Sequence, residues 1–174
     1  EKKGRLISHT RRLSAMFFGE INENNFDIRV RITNGQSEVV VKKGALHAVD
    51  RLEVSQSITR EQFLGFVRLF VLFGFKSEIA ERETYNFLLN DSVIFSVVKA
   101  GNISYVEIEK MSSKDTLEVN RKHLLDLISE YDLKLMNSRE EFNNLCGRLS
   151  KQCDWLFTNT VEDFNKLKEI FIRY

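Results

Sequence analysis

Charged side chains recur at two-residue spacing along several segments of this chain: Asp27, Arg29 and Arg31, then Glu38 and Lys42, Arg51 and Glu53, Arg82, and finally Glu107 and Glu109. In an extended strand that spacing puts them on one face, because successive side chains alternate across a sheet. A single such face is ordinarily turned to water. Repetition on strand after strand suggests a different use, since a sheet curled on its charged side gathers both signs into one lumen. Charges enclosed in that way need ligands or each other. Guanidinium and ammonium groups neutralise phosphate oxygens, Arg doing so with two parallel hydrogen bonds. Paired carboxylates suit a hard cation such as Mg²⁺, which keeps substrate phosphates and water in its shell. A triphosphate with a divalent cation would satisfy such a lumen.

The elements that must position these groups are legible nearby. Asn34-Gly35 between alternating runs is the signature of a two-residue hairpin, because both positions accept positive φ. The turn sets the register: Thr33 faces Gln36, Arg31 faces Glu38, Arg29 faces Val40 and Asp27 faces Lys42. Lys42 then shares a face with Arg29 and Arg31, and Lys43 points away. Arg51 to Ile58 repeats the alternation. Thr59 and Gln62 form a capping box ahead of a helical stripe of Phe63, Phe66, Val67, Phe70 and Val71 that stops at Gly74. That helix should close one side of the sheet. Further strands are expected at about Lys76 to Leu89, Val93 to Lys99 and Ser104 to Met111, joined by turns at Asn90-Asp91 and Gly101-Asn102. Beyond Ser112 the apolar period becomes helical, with a Ser138/Glu141 capping box and a last helix from about Thr160. Strands first and helices after make an α+β plan. With no proline anywhere, Gly, Asn and Ser must end its elements.

Composition narrows the classes further. The 26 basic and 25 acidic residues nearly cancel, so no overall field directs the chain to nucleic acid or to a membrane surface. No apolar run approaches the ~20 residues that span a bilayer. Cys146 and Cys153 lack metal-type spacing and read as reduced thiols, which points to the cytoplasm. His9, His47 and His123 lie on different segments without the paired spacing of a zinc site. Arg5, Arg11 and Arg12 are expected on a solvated strand edge. Trp155 reads as packing, and nothing suggests more than one domain over residues 1–174.

In their order, Phe26-Asp27-Ile28-Arg29-Val30-Arg31-Ile32, Glu38-Val39-Val40-Val41-Lys42-Lys43-Gly44, Arg51-Leu52-Glu53, Arg82-Glu83-Thr84-Tyr85 and Tyr105-Val106-Glu107-Ile108-Glu109 resemble the motifs of CYTH domains. That family, the triphosphate tunnel metalloenzymes, includes class IV adenylate cyclases, thiamine triphosphatases and inorganic triphosphatases. The resemblance covers about residues 5–111, with a helical part from about 114 to 174. It implies an antiparallel β-barrel forming a tunnel with flanking helices. It also implies that Arg29, Arg31, Lys42, Arg51 and Arg82 hold phosphates and that Glu107 and Glu109 bind Mg²⁺ or Mn²⁺, with Glu38 and Glu53 supporting.

The expectation is therefore a metal-dependent hydrolase of an organic triphosphate or inorganic polyphosphate. A class IV cyclase or a binding module without catalysis is the alternative, a homodimer is left open, and no catalytic residue is assigned. Two departures bear on this. The Glu-x-Glu-x-Lys strand that usually opens the family is missing, Glu1-Lys2-Lys3 being a remnant at best. Where members often carry an acid before their Glu-Ile-Glu strand, this chain has Val97, Val98 and Lys99. The end, Thr160 to Tyr174, resembles the helix that follows the family's first strand, as in a permuted chain order or a truncated chain.

Overall fold

Alternation of apolar and polar residues makes the strands, and their order decides which charges meet. In the computed structural model, which describes residues 4–22, 24–43, 52–89, 93–136 and 138–174, the strands are β1 (Arg5–Ile21), β2 (Asn24–Thr33), β3 (Gln36–Lys43), β4 (Leu52–Ile58), β5 (Lys76–Leu88), β6 (Ile94–Ala100), β7 (Ile103–Glu109) and the short β8 (Trp155–Leu156). They form one antiparallel sheet in the order β4-β3-β2-β1-β5-β6-β7, with β8 paired to β5. Four helices flank it: α1 (Phe63–Val71), α2 (Leu117–Glu130), α3 (Arg139–Gln152) and α4 (Val161–Phe171). The α+β, antiparallel expectation holds.

The β2–β3 hairpin has the register its turn requires, with Arg31 opposite Glu38 and Asp27 opposite Lys42. Asn34 and Gly35 both take positive φ, 47° and 84°, as the two-residue turn requires. Gly74 (φ 71°) ends the turn after α1, and Thr59 N–H donates to Gln62 Oε1 at 2.8 Å ahead of the helix. Ser138 and Thr160 cap α3 and α4 by accepting from the N–H groups of Glu141 and Asp163.

One face of the sheet is apolar. Leu13, Ala15 and Phe17 of β1, Ile28, Val30 and Ile32 of β2 and Ile79 of β5 meet Phe63 and Val67 of α1 and Leu167 and Ile170 of α4 in a continuous core. This burial holds the sheet in place and leaves its other face for polar work. Trp155 packs against the same core from β8, as expected of it.

Two expectations change. Arg5, Arg11 and Arg12 lie on β1, the strand between β2 and β5, and not on an edge. Ladder pairing is non-local here, so sequence spacing does not reveal that a 17-residue strand sits in the middle. The barrel is also not closed by hydrogen bonds: among the described residues β4 and β7 remain the two edges of the path. The turn at Asn90-Asp91, together with Arg51, His47 and Glu1 to Lys3, falls outside the described residues. No described helix is long and apolar enough to cross a membrane.

Candidate functional site

Cross-strand pairs share a face, so the ladder registers can be followed across the sheet. Lys42 pairs with Glu53, Asp27 with Lys42, Arg31 with Ser14 and with Glu38, Arg12 with Arg82, Thr84 with Val98, Val98 with Tyr105, and Ser96 with Glu107. Arg12, Arg29, Arg31, Lys42, Arg82, Glu38, Glu53, Glu107 and Glu109 therefore all lie on the face opposite the main core. Lys43 takes the other face and is exposed, as its position one residue on requires.

This polar face is concave. Glu107 on β7 is four ladder steps from Arg29 on β2, about 19 Å in a flat sheet with strands ~4.8 Å apart. It nevertheless interacts electrostatically with Arg12, Arg29 and Lys42, while Tyr105 acts on Arg29. Such coupling is closer than a flat sheet would allow, so the sheet bends toward this face and brings β7 nearer β2 and β3. Helix α3 covers one flank of the resulting groove: Leu149 packs on Ala100 and Ile103, and Ser150 Oγ donates to Glu78 at 2.9 Å.

Most cations in the groove are held by carboxylates. Arg29 donates from Nε and Nη2 to the two oxygens of Asp27 at 2.9 and 2.7 Å, and Asp27 is 0% exposed. Burial opposes the Arg29 charge, but Asp27 more than offsets it, and the Arg29 pKa is raised. Arg31 donates to Glu38 at 2.8 Å and approaches Glu53 at 3.8 Å, and Lys42 meets Glu53 at 2.7 Å. Despite its partial burial, Glu53 is held below the ordinary carboxylate range by Lys42, Arg31 and Arg29. Arg82 makes a two-pronged bond to Asp154 at 2.6 and 2.8 Å, with the Asp154 side chain 2% exposed.

Glu107 and Glu109 differ from these acids. Partial desolvation by its neighbours pushes the Glu107 pKa up although the side chain is exposed, and repulsion by Glu109 pushes the same way, against Arg12, Arg29 and Lys42. Its side chain still reaches solvent, so the groove is open to water at this point. Because the folded chain holds the Glu107 proton more tightly than the unfolded chain does, ionising this carboxyl costs stability. The cost is absent below about pH 4.3, the unperturbed value, and complete above the raised folded pKa. Glu107→Gln is therefore expected to raise the thermal midpoint near neutral pH and to leave it unchanged near pH 3.5. A gain of equal size at both pH values would show that packing, and not charge, is responsible.

The two carboxylates match a cation that takes one or two protein oxygens and completes its shell with phosphates and water. Among the described residues no group of three or more His, Cys, Asp or Glu side chains is arranged to hold a metal. Glu38 and Glu53, expected as supporting acids, give oxygens to Arg31 and Lys42. Arg51 lies outside the described residues.

Sequence reasoning missed four groove residues. Asp27 was on the correct face but without a role, and Arg12 was assigned to an edge. Glu78 and Asp154 had no signal, since Asp154 precedes a two-residue strand too short for any periodicity. A separate polar cluster, in which His9 stacks on Tyr85 and bonds Glu83 at 2.8 Å, lies on the opposite side of the sheet.

No family model and no curated protein matches the chain. Solved structures do. The PH1012 protein of Pyrococcus horikoshii OT3 superposes with a TM-score of 0.59 at 20% identity, over 75% of this chain and 78% of that one. The PH1819 protein of the same organism gives 0.58 at 17% identity, over 83% and 89%. A conserved hypothetical protein of Pyrococcus furiosus gives 0.55 at 19%, over 75% and 78%. At these identities the likeness establishes a shared fold, and this chain is an antiparallel α+β protein of the same architecture as those archaeal proteins.

Proposed function

We propose that this chain is a CYTH-type tunnel protein that binds the polyphosphate group of a triphosphate on the concave face of its sheet and hydrolyses it with a divalent cation. The reading is carried by one observation: Arg12, Arg29, Arg31, Lys42 and Arg82 line the same groove as Glu107, which couples across it to Arg12, Arg29 and Lys42. Guanidinium groups on adjacent strands of one face can neutralise several phosphoryl groups at once. Specificity would be loose, because such contacts recognise phosphate and not base or sugar.

Glu107 and Glu109 would hold Mg²⁺ or Mn²⁺, which would polarise a phosphoryl oxygen and neutralise charge as it develops. Their mutual repulsion supports that role, since a cation between them removes it. The other groove residues orient the substrate. Arg29 and Arg82, each braced by a buried carboxylate, present fixed donors that need no reordering on binding.

Titrating tripolyphosphate with and without Mn²⁺, while following heat and released phosphate, tests the reading. Binding without metal and release with it are expected. Binding in both conditions with no release would make the chain a capture module, and absence of binding would remove the reading altogether.

A further inference from the structure

Among the described residues of the groove, one cation stands apart. Arg29, Arg31, Lys42 and Arg82 each contact a carboxylate within 2.9 Å. Arg12 does not. Its Nε donates to Thr33 Oγ1 at 2.9 Å, and no carboxylate of the described residues lies within ion-pairing distance of its fork. That single bond fixes the plane of the guanidinium and leaves both terminal nitrogens available.

The surroundings make this costly. Arg12 is half-buried on the central strand, and Arg31 and Arg29 lie close enough to repel it. Burial and those two cations lower its pKa, with only partial relief from Glu38 and Glu107. A cation placed among like charges without an acid of its own is a liability to the fold. An oxyanion from outside would supply what the fold omits, and the bidentate geometry of arginine matches phosphoryl oxygens.

Resting on the polyphosphate reading of this groove, the geometry points to Arg12 as the residue that anchors one phosphoryl group of the ligand. The other four cations reach phosphate only by sharing or exchanging their internal carboxylates. Arg12 needs no exchange, so the first phosphoryl group seats there, between β1 and β2, and the rest of the polyphosphate extends over the paired cations. A single inorganic phosphate should then bind weakly and at the same place.

Calorimetry with tripolyphosphate and with inorganic phosphate, both without metal, tests this on the full chain and on Arg12→Gln, Arg12→Lys and Lys43→Gln. Arg12→Gln is expected to weaken tripolyphosphate binding by about tenfold to a hundredfold, the range for one charge-assisted contact, and to abolish inorganic phosphate binding. Arg12→Lys should fall between, keeping charge but losing the fork, and Lys43→Gln should match the parent. If Arg12→Gln binds tripolyphosphate like the parent chain, the Arg12 assignment is overturned while the polyphosphate reading stands. If the parent chain itself binds none, both are overturned. Thermal melting without anion gives a second readout. The Arg12→Gln midpoint should equal or exceed the parent's, and a marked fall would overturn the assignment by showing that the charge is already compensated within the fold.

Discussion

Replacing Asp27 with alanine is expected to destabilise the fold by about 3–5 kcal/mol, the usual cost of removing one partner from a buried ion pair. Asp27 is 0% exposed and accepts two hydrogen bonds from Arg29. Without it the guanidinium keeps its charge in a partly desolvated site beside other cations. For a chain of this size the thermal midpoint should fall by on the order of 10 °C. Asp27→Asn should cost less, since an amide oxygen still accepts one bond. Lys43→Ala, exposed on the other face, should stay within about 0.5 kcal/mol. Urea unfolding of the three variants checks the order. If Asp27→Ala and Lys43→Ala unfold at the same midpoint, the Asp27–Arg29 pair does not brace the groove.

The second large effect is on binding. Arg29→Ala removes a proposed phosphate contact and takes away the guanidinium that bonds both Asp27 oxygens, so the groove loses a positive charge. Metal-free tripolyphosphate binding should weaken by about 1.5–3 kcal/mol, the range for hydrogen bonds to charged groups. Glu109→Gln keeps the side chain's size but removes a proposed metal ligand's charge. It should spare most metal-free binding and raise the Mn²⁺ concentration needed for phosphate release. Measurements belong at a temperature where Arg29→Ala is still folded, as judged by circular dichroism. If Arg29→Ala and Lys43→Ala bind alike, the concave face is not the binding face.

Much of the groove's wall was legible from local pattern. The Asn34-Gly35 turn sets the β2–β3 register, and with a side-chain period of two, that register alone places Arg29, Arg31, Glu38 and Lys42 on one face and Lys43 on the other. The Arg31–Glu38 bond follows directly, because the two residues are opposite each other. Helix starts were equally readable at Ser138 and Thr160, whose side chains accept from an N–H three residues on, whereas at Thr59 only the bond from its N–H to Gln62 forms and α1 begins after Gln62, its N-cap, without a side-chain cap.

What sequence could not supply was every relation between distant segments. Alternation along β1 says that Arg12 shares a face with Ser14, but not that β1 lies between β2 and β5. Only that order sets Arg12 among the groove cations. Asp154 is 72 residues from Arg82, and β8 is too short to announce its pairing with β5. The curl that brings Glu107 toward Arg29 arises from the summed twist of the strands and the helices packed behind them, a property of no single segment. The sequence by itself determined which charges share a face, since that depends on a two-residue period and one turn. Tertiary structure decided which of them meet and which one is left without an acid, because strand order and curvature come from long-range burial of the opposite face.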